Sequence, residues 1–303
     1  MAGERSPPDT ARGLDPVAVD TILRRLARNP EPPWLHAEVA RRMAERLALI
    51  KREPRCVVDW WSRLGAGAGP LAAAYPKARR IAVEPIPALL ERARPPWWSA
   101  RRWSGPAADT QLEREALPEG VDLVWANMML HAVVDPPALF ARWERSLAVD
   151  GFVMFSCLGP GTLRELRGLY ERLGWPAPTP AFVDMHDLGD MLVQAGFADP
   201  VMDQEVITLH WADAAAALAE LRTLGGNASP RRGAGLRTPR WRARLLEALQ
   251  SLAVADGRPG LSFEVAYGHA FRAAPRARVG EATTVSLDDM RGYLRAGRPK
   301  PAR

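Results

Sequence analysis

The stretch CVVDWWSRLGAGAG (56–69) decides the fold of this chain. Four of its first five residues are apolar, without the strict alternation of a half-exposed strand, and several glycines follow. Such a sequence is typical of a buried strand that turns into a helix. Similar apolar segments, RIAVE (80–84), VDLVWAN (121–127) and GFVMFSC (151–157), alternate downstream with helical segments. This alternation predicts an α/β fold, with a mostly parallel sheet covered by helices on both faces.

The segments after Leu158 predict additions to this sheet. DQEVITLHW (203–211) and LSFEVAYGHAFRA (261–273) have the composition of strands, and a helical insertion at about 212–255 lies between them. The last strand is expected to be antiparallel. The predicted organisation is a largely disordered or lid-like segment over 1–30, one domain over 31–275 and a tail over 276–303.

Composition and charge exclude several classes of protein. Hydrophobic residues make up 47% of the 303 positions, so a wholly disordered chain is excluded. No apolar stretch reaches the roughly 20 residues of a membrane span. The only cysteines, Cys56 and Cys157, lie in predicted strands, which favours a reducing cytoplasm over a disulfide framework.

The net charge of +6 leaves two interpretations open. A basic chain is a candidate for binding nucleic acid. However, 38 of the 41 cationic residues are Arg, beside abundant Ala and 28 Pro, which is the composition of a GC-rich genome with a solvated Arg surface. The sequence holds no motif of a nucleic-acid enzyme, so we expect no nucleic-acid partner.

The ends of the first two strands carry acidic residues. Asp59 lies in the first strand, and Glu84 ends the second strand 25 positions later. A carboxylate at the second position can accept hydrogen bonds from both hydroxyls of a ribose. The sequence has no GKS or GKT, which excludes a P-loop nucleotidase. A dinucleotide and S-adenosylmethionine remain as candidate ligands.

At this point the chain resembles the class I S-adenosylmethionine-dependent methyltransferases, which carry an acidic residue at each of these strand ends and a Gly-rich turn between them. The segment 121–167, which includes GPGTLRELR, is similar to one branch, the malonyl-acyl-carrier-protein O-methyltransferases of biotin synthesis. VDMHDLGDMLVQAGF (183–197) and ITLHWADAAAALAELRTLGGN (207–227) also resemble that family. The similarity runs from about residue 35 to 273. It implies a Rossmann-like sheet, S-adenosylmethionine as cofactor, and methylation of the free carboxylate of malonyl-acyl carrier protein.

The resemblance also implies which residues bind the cofactor. Asn127 follows the third long apolar strand, where it can bond the amino-acid portion. The residue near the adenine is either Asp109 or Glu113, because the two spacings that locate it disagree. The full set of expected cofactor-binding residues is Asp59, Gly65, Gly67, Glu84, Asp109 and Asn127.

Substrate binding and the reaction itself ask little of the sequence. The carboxylate is ionised at neutral pH, so no general base is required. An Arg suits a carboxylate because its planar fork donates two parallel hydrogen bonds, and Arg222 is the candidate. His131 is a second candidate for contacting the substrate. The five histidines show no metal-ligand spacing, so no metal site is expected.

Departures from the family pattern keep a second function open. Trp61 and Arg63 occupy the positions of the first two motif glycines, and the N-terminal segment 28–36 lacks the Tyr that family members carry there. Glycines at those positions allow backbone conformations that a β-carbon forbids. The alternative is therefore a non-catalytic homologue that acts as a binding protein.

One basic stretch suits the partner that the resemblance implies. Acyl carrier proteins are acidic, and a cationic patch speeds the encounter of opposite charges. The densest basic segment runs from Arg231 to Arg244. We expect this segment to receive the carrier protein.

Overall fold

The structure, a computed structural model, describes residues 13–93, 109–233, 235, 237–253 and 257–274. The predicted tail over 276–303 lies outside these residues. The strands of the described chain are β1 (Cys56–Trp60), β2 (Arg79–Glu84), β3 (Asp109–Leu112), β4 (Val121–Ala126), β5 (Leu147–Leu158), β6 (Phe197–His210) and β7 (Gly260–Arg272).

Helices connect these strands and precede them. Those in the N-terminal half are α1 (Pro16–Leu26), α2 (Trp34–Leu47), α3 (Ser62–Gly65), α4 (Ala68–Ala74), α5 (Pro87–Ala93) and α6 (Pro136–Ser146). Those in the C-terminal half are α7 (Arg164–Arg172), α8 (Met185–Gln194), α9 (Ala214–Thr223) and α10 (Pro239–Gln250). None of the described helices is long and apolar enough to cross a membrane.

The strands form one sheet in the order β3-β2-β1-β4-β5-β7-β6. Strands β1 to β5 pair in parallel, and β7 runs antiparallel to both β5 and β6. This confirms the Rossmann-like α/β prediction with its late antiparallel strand. The strand order reverses between β1 and β4, and ligands of open α/β sheets bind at the carboxyl ends of the strands beside such a reversal.

Each strand sends alternate side chains to opposite faces of the sheet. Val58 and Trp60 of β1 belong to one buried apolar cluster, together with residues of α6 and α8. Val57 belongs to the cluster on the other face, with residues of α2, α7 and α10. Because both faces are covered, the strands are apolar at nearly every position, which explains the sequence pattern.

The N-terminal segment predicted as disordered or lid-like contains a regular helix. Helix α1 begins after Asp15, whose carboxylate accepts hydrogen bonds from the backbone N–H groups of Val17 and Ala18. Leu23 and Leu26 are buried in the cluster that α6 and α8 share. Packing against the domain thus fixes this helix, a contribution that composition alone does not reveal.

Two strands differ from the sequence prediction. Strand β6 begins at Phe197, six residues before the predicted start. The added residues include Asp199 and Pro200 at the edge of the sheet, which give them the composition of a loop. Strand β3, with the sequence DTQL, is short and polar at the opposite edge and had not been predicted. Edge strands bury little apolar surface, so their sequences carry a weak signal.

Candidate active site

The turn after β1 has the backbone of a glycine turn although it holds no glycine there. Trp61 has φ 54° and ψ 46°, in the left-handed region. Its N–H donates to the Val83 carbonyl at 2.7 Å, which ties the turn to β2. A residue with a β-carbon loses roughly 1–2 kcal/mol in this conformation. The turn therefore adopts this conformation at a cost that glycine would avoid.

The Trp61 side chain lies across the ends of the neighbouring strands. It is only 5% exposed, and its indole Nε1–H donates to Glu113 Oε2 at 3.0 Å. Glu113 directly follows β3, and burial raises the pKa of its carboxyl. Of the two residues that the sequence left open near the adenine, Glu113 is the one at the carboxyl edge of the sheet.

Asp109 has the opposite placement, which corrects its assignment to the cofactor site. It is the first residue of β3 and pairs with Arg79, the first residue of β2, at 2.7 Å. Both side chains are exposed at the amino end of parallel strands. The carboxyl ends, where Glu84 and Glu113 lie, are at the other edge of the sheet.

Two buried carboxylates lie beneath the turn, each with one unpaired oxygen. Glu84 has no exposed surface, and its Oε1 accepts from the backbone N–H of Arg63 at 2.9 Å. Asp59 Oδ2 accepts from the Ser62 hydroxyl at 2.5 Å. Glu84 Oε2 and Asp59 Oδ1 have no partner among the described residues. We call this closed pair of carboxyl groups, Asp59 and Glu84, the crevice. A buried acceptor without a donor is costly, so the crevice is suited to a ligand with hydroxyl or ammonium donors.

Burial shifts both carboxyl groups toward the protonated form. Loss of hydration raises the pKa of Glu84 to about 8, with a further contribution from the nearby Asp59. The same desolvation raises the pKa of Asp59 to about 7. Perturbed carboxyl groups that lie together at a strand-end crevice are a mark of a functional site.

Two glycines of the turn are required by close contacts. A β-carbon at Gly65 would lie 2.9 Å from the Asn127 carbonyl oxygen, and one at Gly67 would lie 2.4 Å from Asp59 Oδ1. The structure therefore brings Gly65, Gly67, Asp59 and Asn127 together, as the sequence predicted. Their role here is to let the turn approach β1 and β4.

The Asn127 side chain holds this turn in place. Its Nδ2 donates to the carbonyls of His36 at 2.8 Å and Gly65 at 2.6 Å, and its Oδ1 accepts from the Ser156 hydroxyl at 2.6 Å. Both amide N–H donors are consumed by the protein. Asn127 is thus a positioning residue, and its side chain has no free donor for the cofactor's amino-acid portion.

A cavity of about 210 Å³ opens beside the turn. Its walls come from α1, α7, the turn after β1, the 3-10 turn at Leu130–Ala132 and the segments before α8 and after α9. None of its described lining residues is Asp, Glu, Lys or Arg. The unpaired polar groups on the wall include the buried hydroxyl of Thr179. The cavity is therefore suited to uncharged or charge-losing chemistry.

His36 and His131 both line this cavity. His131 Nδ1 accepts from the Leu158 backbone N–H at 3.3 Å, which places the imidazole at the end of β5. Burial lowers the pKa of His131 to about 3, so the ring is neutral at pH 7. His131 was predicted from its place after β4. His36 was not, because a lone His on an amphipathic helix carries no functional signal.

The structure does not bring Arg222 to the cavity, which corrects its assignment to the substrate carboxylate. Its neighbours Leu221 and Leu224 line the cavity, but Arg222 itself is not a lining residue. It lies close enough to Arg25 of α1 to lower that residue's pKa. Residues 221 and 222 point to different sides of α9, because adjacent helical positions differ by about 100°.

The basic stretch 231–244 contains two kinds of Arg, those that contact another side chain and those that are exposed without such a contact. Arg232 pairs with Asp15 at 2.7 Å. The guanidinium of Arg237 stacks on Trp241 at 4.7 Å, and that of Arg244 stacks on Trp175 at 5.7 Å. The exposed members without a described ion pair or ring contact are Arg231, Arg240 and Arg242. Within the described part of the chain, no group of three His, Cys, Asp or Glu could hold a metal ion.

Comparisons with known proteins agree with this geometry. A family model described as a methyltransferase domain matches residues 63–155. The malonyl-acyl-carrier-protein O-methyltransferase of Gallionella capsiferriformans is 40% identical over 248 residues, which cover 80% of this chain and 85% of the relative. The enzyme of the same name from Laribacter hongkongensis is also 40% identical, covering 80% of this chain and 84% of the relative.

Solved structures support the fold alone. The YcgJ protein of Bacillus subtilis matches with a TM-score of 0.52 and 12% identity, over 77% of this chain and 98% of that protein. A putative methyltransferase from Bacillus halodurans matches with a TM-score of 0.51 and 13% identity, over 77% and 99%.

Proposed function

This chain belongs to the family of malonyl-acyl-carrier-protein O-methyltransferases, and we propose that it methylates the free carboxylate of malonyl-acyl carrier protein to form a biotin precursor. The observation that carries this proposal is the 40% identity to such an enzyme across four fifths of the chain. An uncharged cavity beside the strand-order reversal supports it. Because Cys56 and Cys157 are free thiols, we also propose a cytoplasmic location.

S-adenosylmethionine is the cofactor, and the hydrogen-bond acceptors of the crevice fit it. Glu84 Oε2 and Asp59 Oδ1 are buried acceptors without partners, and a ribose offers hydroxyl donors. Gly65 and Gly67 keep the turn free of side chains where it packs most closely. Since Glu84 has no exposed surface, a ribose reaches it only when the turn at Trp61–Arg63 moves.

The cavity walls suit a reaction in which charge disappears. When bound, the cofactor supplies a methyl group on a positively charged sulfur, and the malonyl carboxylate is negative. Because no charged residue lines the described walls, nothing there stabilises the separate charges at the expense of the neutral ester. Leu163, Phe182 and the α1 residues exclude water and orient the reactants, which is the main contribution a protein can make when the nucleophile is already ionised.

We assign the substrate carboxylate to His131 in place of Arg222. The Nδ1 atom accepts the Leu158 N–H, so the proton of the neutral ring is on Nε2. The ring therefore offers one uncharged donor, which orients the carboxylate without holding it as an ion pair. A bidentate Arg would bind the carboxylate more tightly than the ester and so oppose the reaction.

We propose that the exposed cations of the stretch 231–244 receive the acyl carrier protein. Arg240 and Arg242 are on α10, which contacts α7, and Leu166 and Tyr170 of α7 line the cavity. An acidic carrier is steered toward such a patch, and the acyl arm then has a short path to the cavity. Arg232, Arg237 and Arg244 are already engaged and contribute mainly to the structure of this face.

The proposal is tested by incubating the protein with S-adenosylmethionine and malonyl-acyl carrier protein, and in parallel with malonyl-coenzyme A. Mass spectrometry of the acyl group should detect the methyl ester with the carrier protein. Rescue of a biotin-requiring strain that lacks the methyltransferase tests the pathway. Binding of the cofactor without ester formation on either thioester would overturn the substrate assignment.

A further inference from the structure

His36 presents a fixed hydrogen-bond acceptor to the cavity. The residue is in the first turn of α2, and its Nδ1 lies 2.8 Å from the carbonyl oxygen of Leu64. A carbonyl only accepts, so Nδ1 must carry the proton and donate. Burial lowers the pKa of His36 to about 4, so the second nitrogen is unprotonated at pH 7. Nε2 is therefore a lone-pair acceptor.

The neighbouring imidazole has the opposite tautomer. His131 accepts at Nδ1 from a backbone N–H and carries its proton on Nε2. The two rings are close enough for His36 to contribute to lowering the pKa of His131. Among the described residues, neither Nε2 atom has a hydrogen-bond partner. Neither atom is completely buried, so a ligand in the cavity can reach both. The cavity wall thus offers an acceptor and a donor from two neutral rings.

The two tautomers bind different ligands. The inference that follows rests on the proposed function, in which these ligands are the cofactor and the malonyl substrate. The malonyl group of the substrate offers only acceptors at pH 7, its carboxylate and its carbonyl oxygen. The lone pair of His36 repels such groups, whereas His131 Nε2–H attracts them. A partner for His36 must bring a donor.

We propose that His36 Nε2 accepts a hydrogen bond from the ammonium group at the amino-acid end of the cofactor. The ring is bonded to Leu64, within the turn that follows β1, and ligands of this fold bind beside that turn. His36 therefore connects α2, the turn and the ligand. It is a binding residue for the cofactor, and His131 is reserved for the acceptor substrate.

The two unpaired carboxyl oxygens nearby do not face this space. Asp59 Oδ1 is enclosed against the backbone of Gly67, and Glu84 lies beneath Arg63. Neither carboxylate lines the cavity, whereas His36 does. Among the titratable side chains of the described wall, His36 is the acceptor that an ammonium in the cavity can reach.

The test compares two adenosine thioethers by titration calorimetry. S-adenosylhomocysteine carries the amino-acid end, and 5′-methylthioadenosine has the same nucleoside without it. We expect His36→Leu to lower the affinity for the homocysteine compound about tenfold and to leave the affinity for the shorter compound unchanged. His36→Gln, which can still bond the Leu64 carbonyl and offer an amide oxygen, should restore most of the loss.

The shorter compound distinguishes a lost contact from a damaged turn. Equal losses for both compounds in His36→Leu and His36→Gln would assign His36 a purely structural role and overturn the proposal. Unchanged ratios in both variants would overturn it as well. His186→Leu, at an exposed position outside the cavity, is the matched control and should not change the ratio. If neither compound binds the wild-type protein, this inference fails together with the cofactor assignment, whereas selective loss in His36→Leu supports both.

Discussion

The crevice under the turn after β1 and the cavity beside it are adjacent, but their chemistry is opposite. The crevice contains two buried carboxyl groups, each with an unpaired oxygen, and the indole of Trp61 in the turn above it donates to Glu113. The cavity has apolar walls without a charged side chain among the described lining residues, and its polar groups are neutral. The difference indicates that the two regions have different roles. The crevice offers carboxyl oxygens to the part of the cofactor that does not react, and no charged side chain lines the described cavity walls, where methyl transfer removes charge.

Removing a carboxyl group from the crevice should have the largest effect on this contrast. We expect Glu84→Ala to weaken binding of S-adenosylhomocysteine about 30-fold, because the two hydroxyls of the ribose lose hydrogen bonds that contribute roughly 0.5–1.5 kcal/mol each. Titration calorimetry measures the affinity. Glu119→Ala, which removes an exposed carboxylate near the start of β4, is the control. An affinity equal to wild type would show that the ribose is held elsewhere.

The same carboxyl should make stability depend on pH. Its native pKa is raised to about 8 from an ordinary value near 4.5, so between these pH values the native state holds a proton that the unfolded state has lost. The free energy of unfolding should therefore fall as the pH rises from about 5 to 8. Glu84→Gln cannot ionise and should remove this group's contribution to the fall, up to roughly 5 kcal/mol for a pKa change of that size.

Chemical denaturation at several pH values measures this dependence. Asp59, whose pKa is raised to about 7, titrates in the same direction, so the variant should retain part of the slope. An identical slope in wild type and Glu84→Gln would mean that Glu84 stays ionised in the native protein.

Removing the Trp61 side chain should reduce the contrast between the crevice and the cavity. Trp61→Gly takes a buried side chain out of the turn, frees Glu113 Oε2 and relieves the left-handed backbone. We expect S-adenosylhomocysteine to bind about tenfold more tightly, because the ligand no longer competes with the indole for Glu113, and one such hydrogen bond contributes roughly 0.5–1.5 kcal/mol. Trp61→Phe retains the bulk without the Nε1–H and should lie between the two. Weaker binding by Trp61→Gly would instead indicate that the indole stacks on the ligand.

The smallest effect is expected outside both regions, at the approach to the cavity. Arg240→Glu with Arg242→Glu should slow association with the acyl carrier protein several-fold at low salt, and the difference should shrink as salt screens the charges. Stopped-flow or surface plasmon resonance measurements give the rates. The control pair, Lys51→Glu with Arg55→Glu, is exposed before β1, at the other edge of the sheet. Equal slowing by both pairs would show that only net charge matters.

Much of the fold could be predicted because its signals are local. The buried strands β1, β2, β4 and β5 are apolar at nearly every position, and the predicted helices between them agree with the structure to within a few residues. The short strand β3 and the first half of β6 escaped prediction, because edge strands are polar and short patterns of that kind also occur in loops. Helix α1 escaped because tertiary packing stabilises it.

The candidate site was predictable in part. Asp59, Gly65, Gly67 and Glu84 lie together as expected, because the carboxyl ends of neighbouring parallel strands meet at one edge of the sheet. Asp109 and Arg222 were misplaced. Glu113, at the other end of β3 from Asp109, and Leu221, next to Arg222, are the residues at the site, because a shift along a strand or around a helix changes which side chain faces the ligand.

The sequence by itself determined the fold class, the family and the edge of the sheet that carries the chemistry, because hydrophobic periodicity and motif spacing are read along the chain. Only the tertiary structure decided which groups are free to act. Asn127 donates both amide N–H groups to the carbonyls of His36 and Gly65. His36 and His131 have opposite tautomers. These properties depend on partners that are distant in sequence, so no local pattern specifies them. Burial then fixes the protonation states, because a desolvated group takes the form that its few neighbours allow.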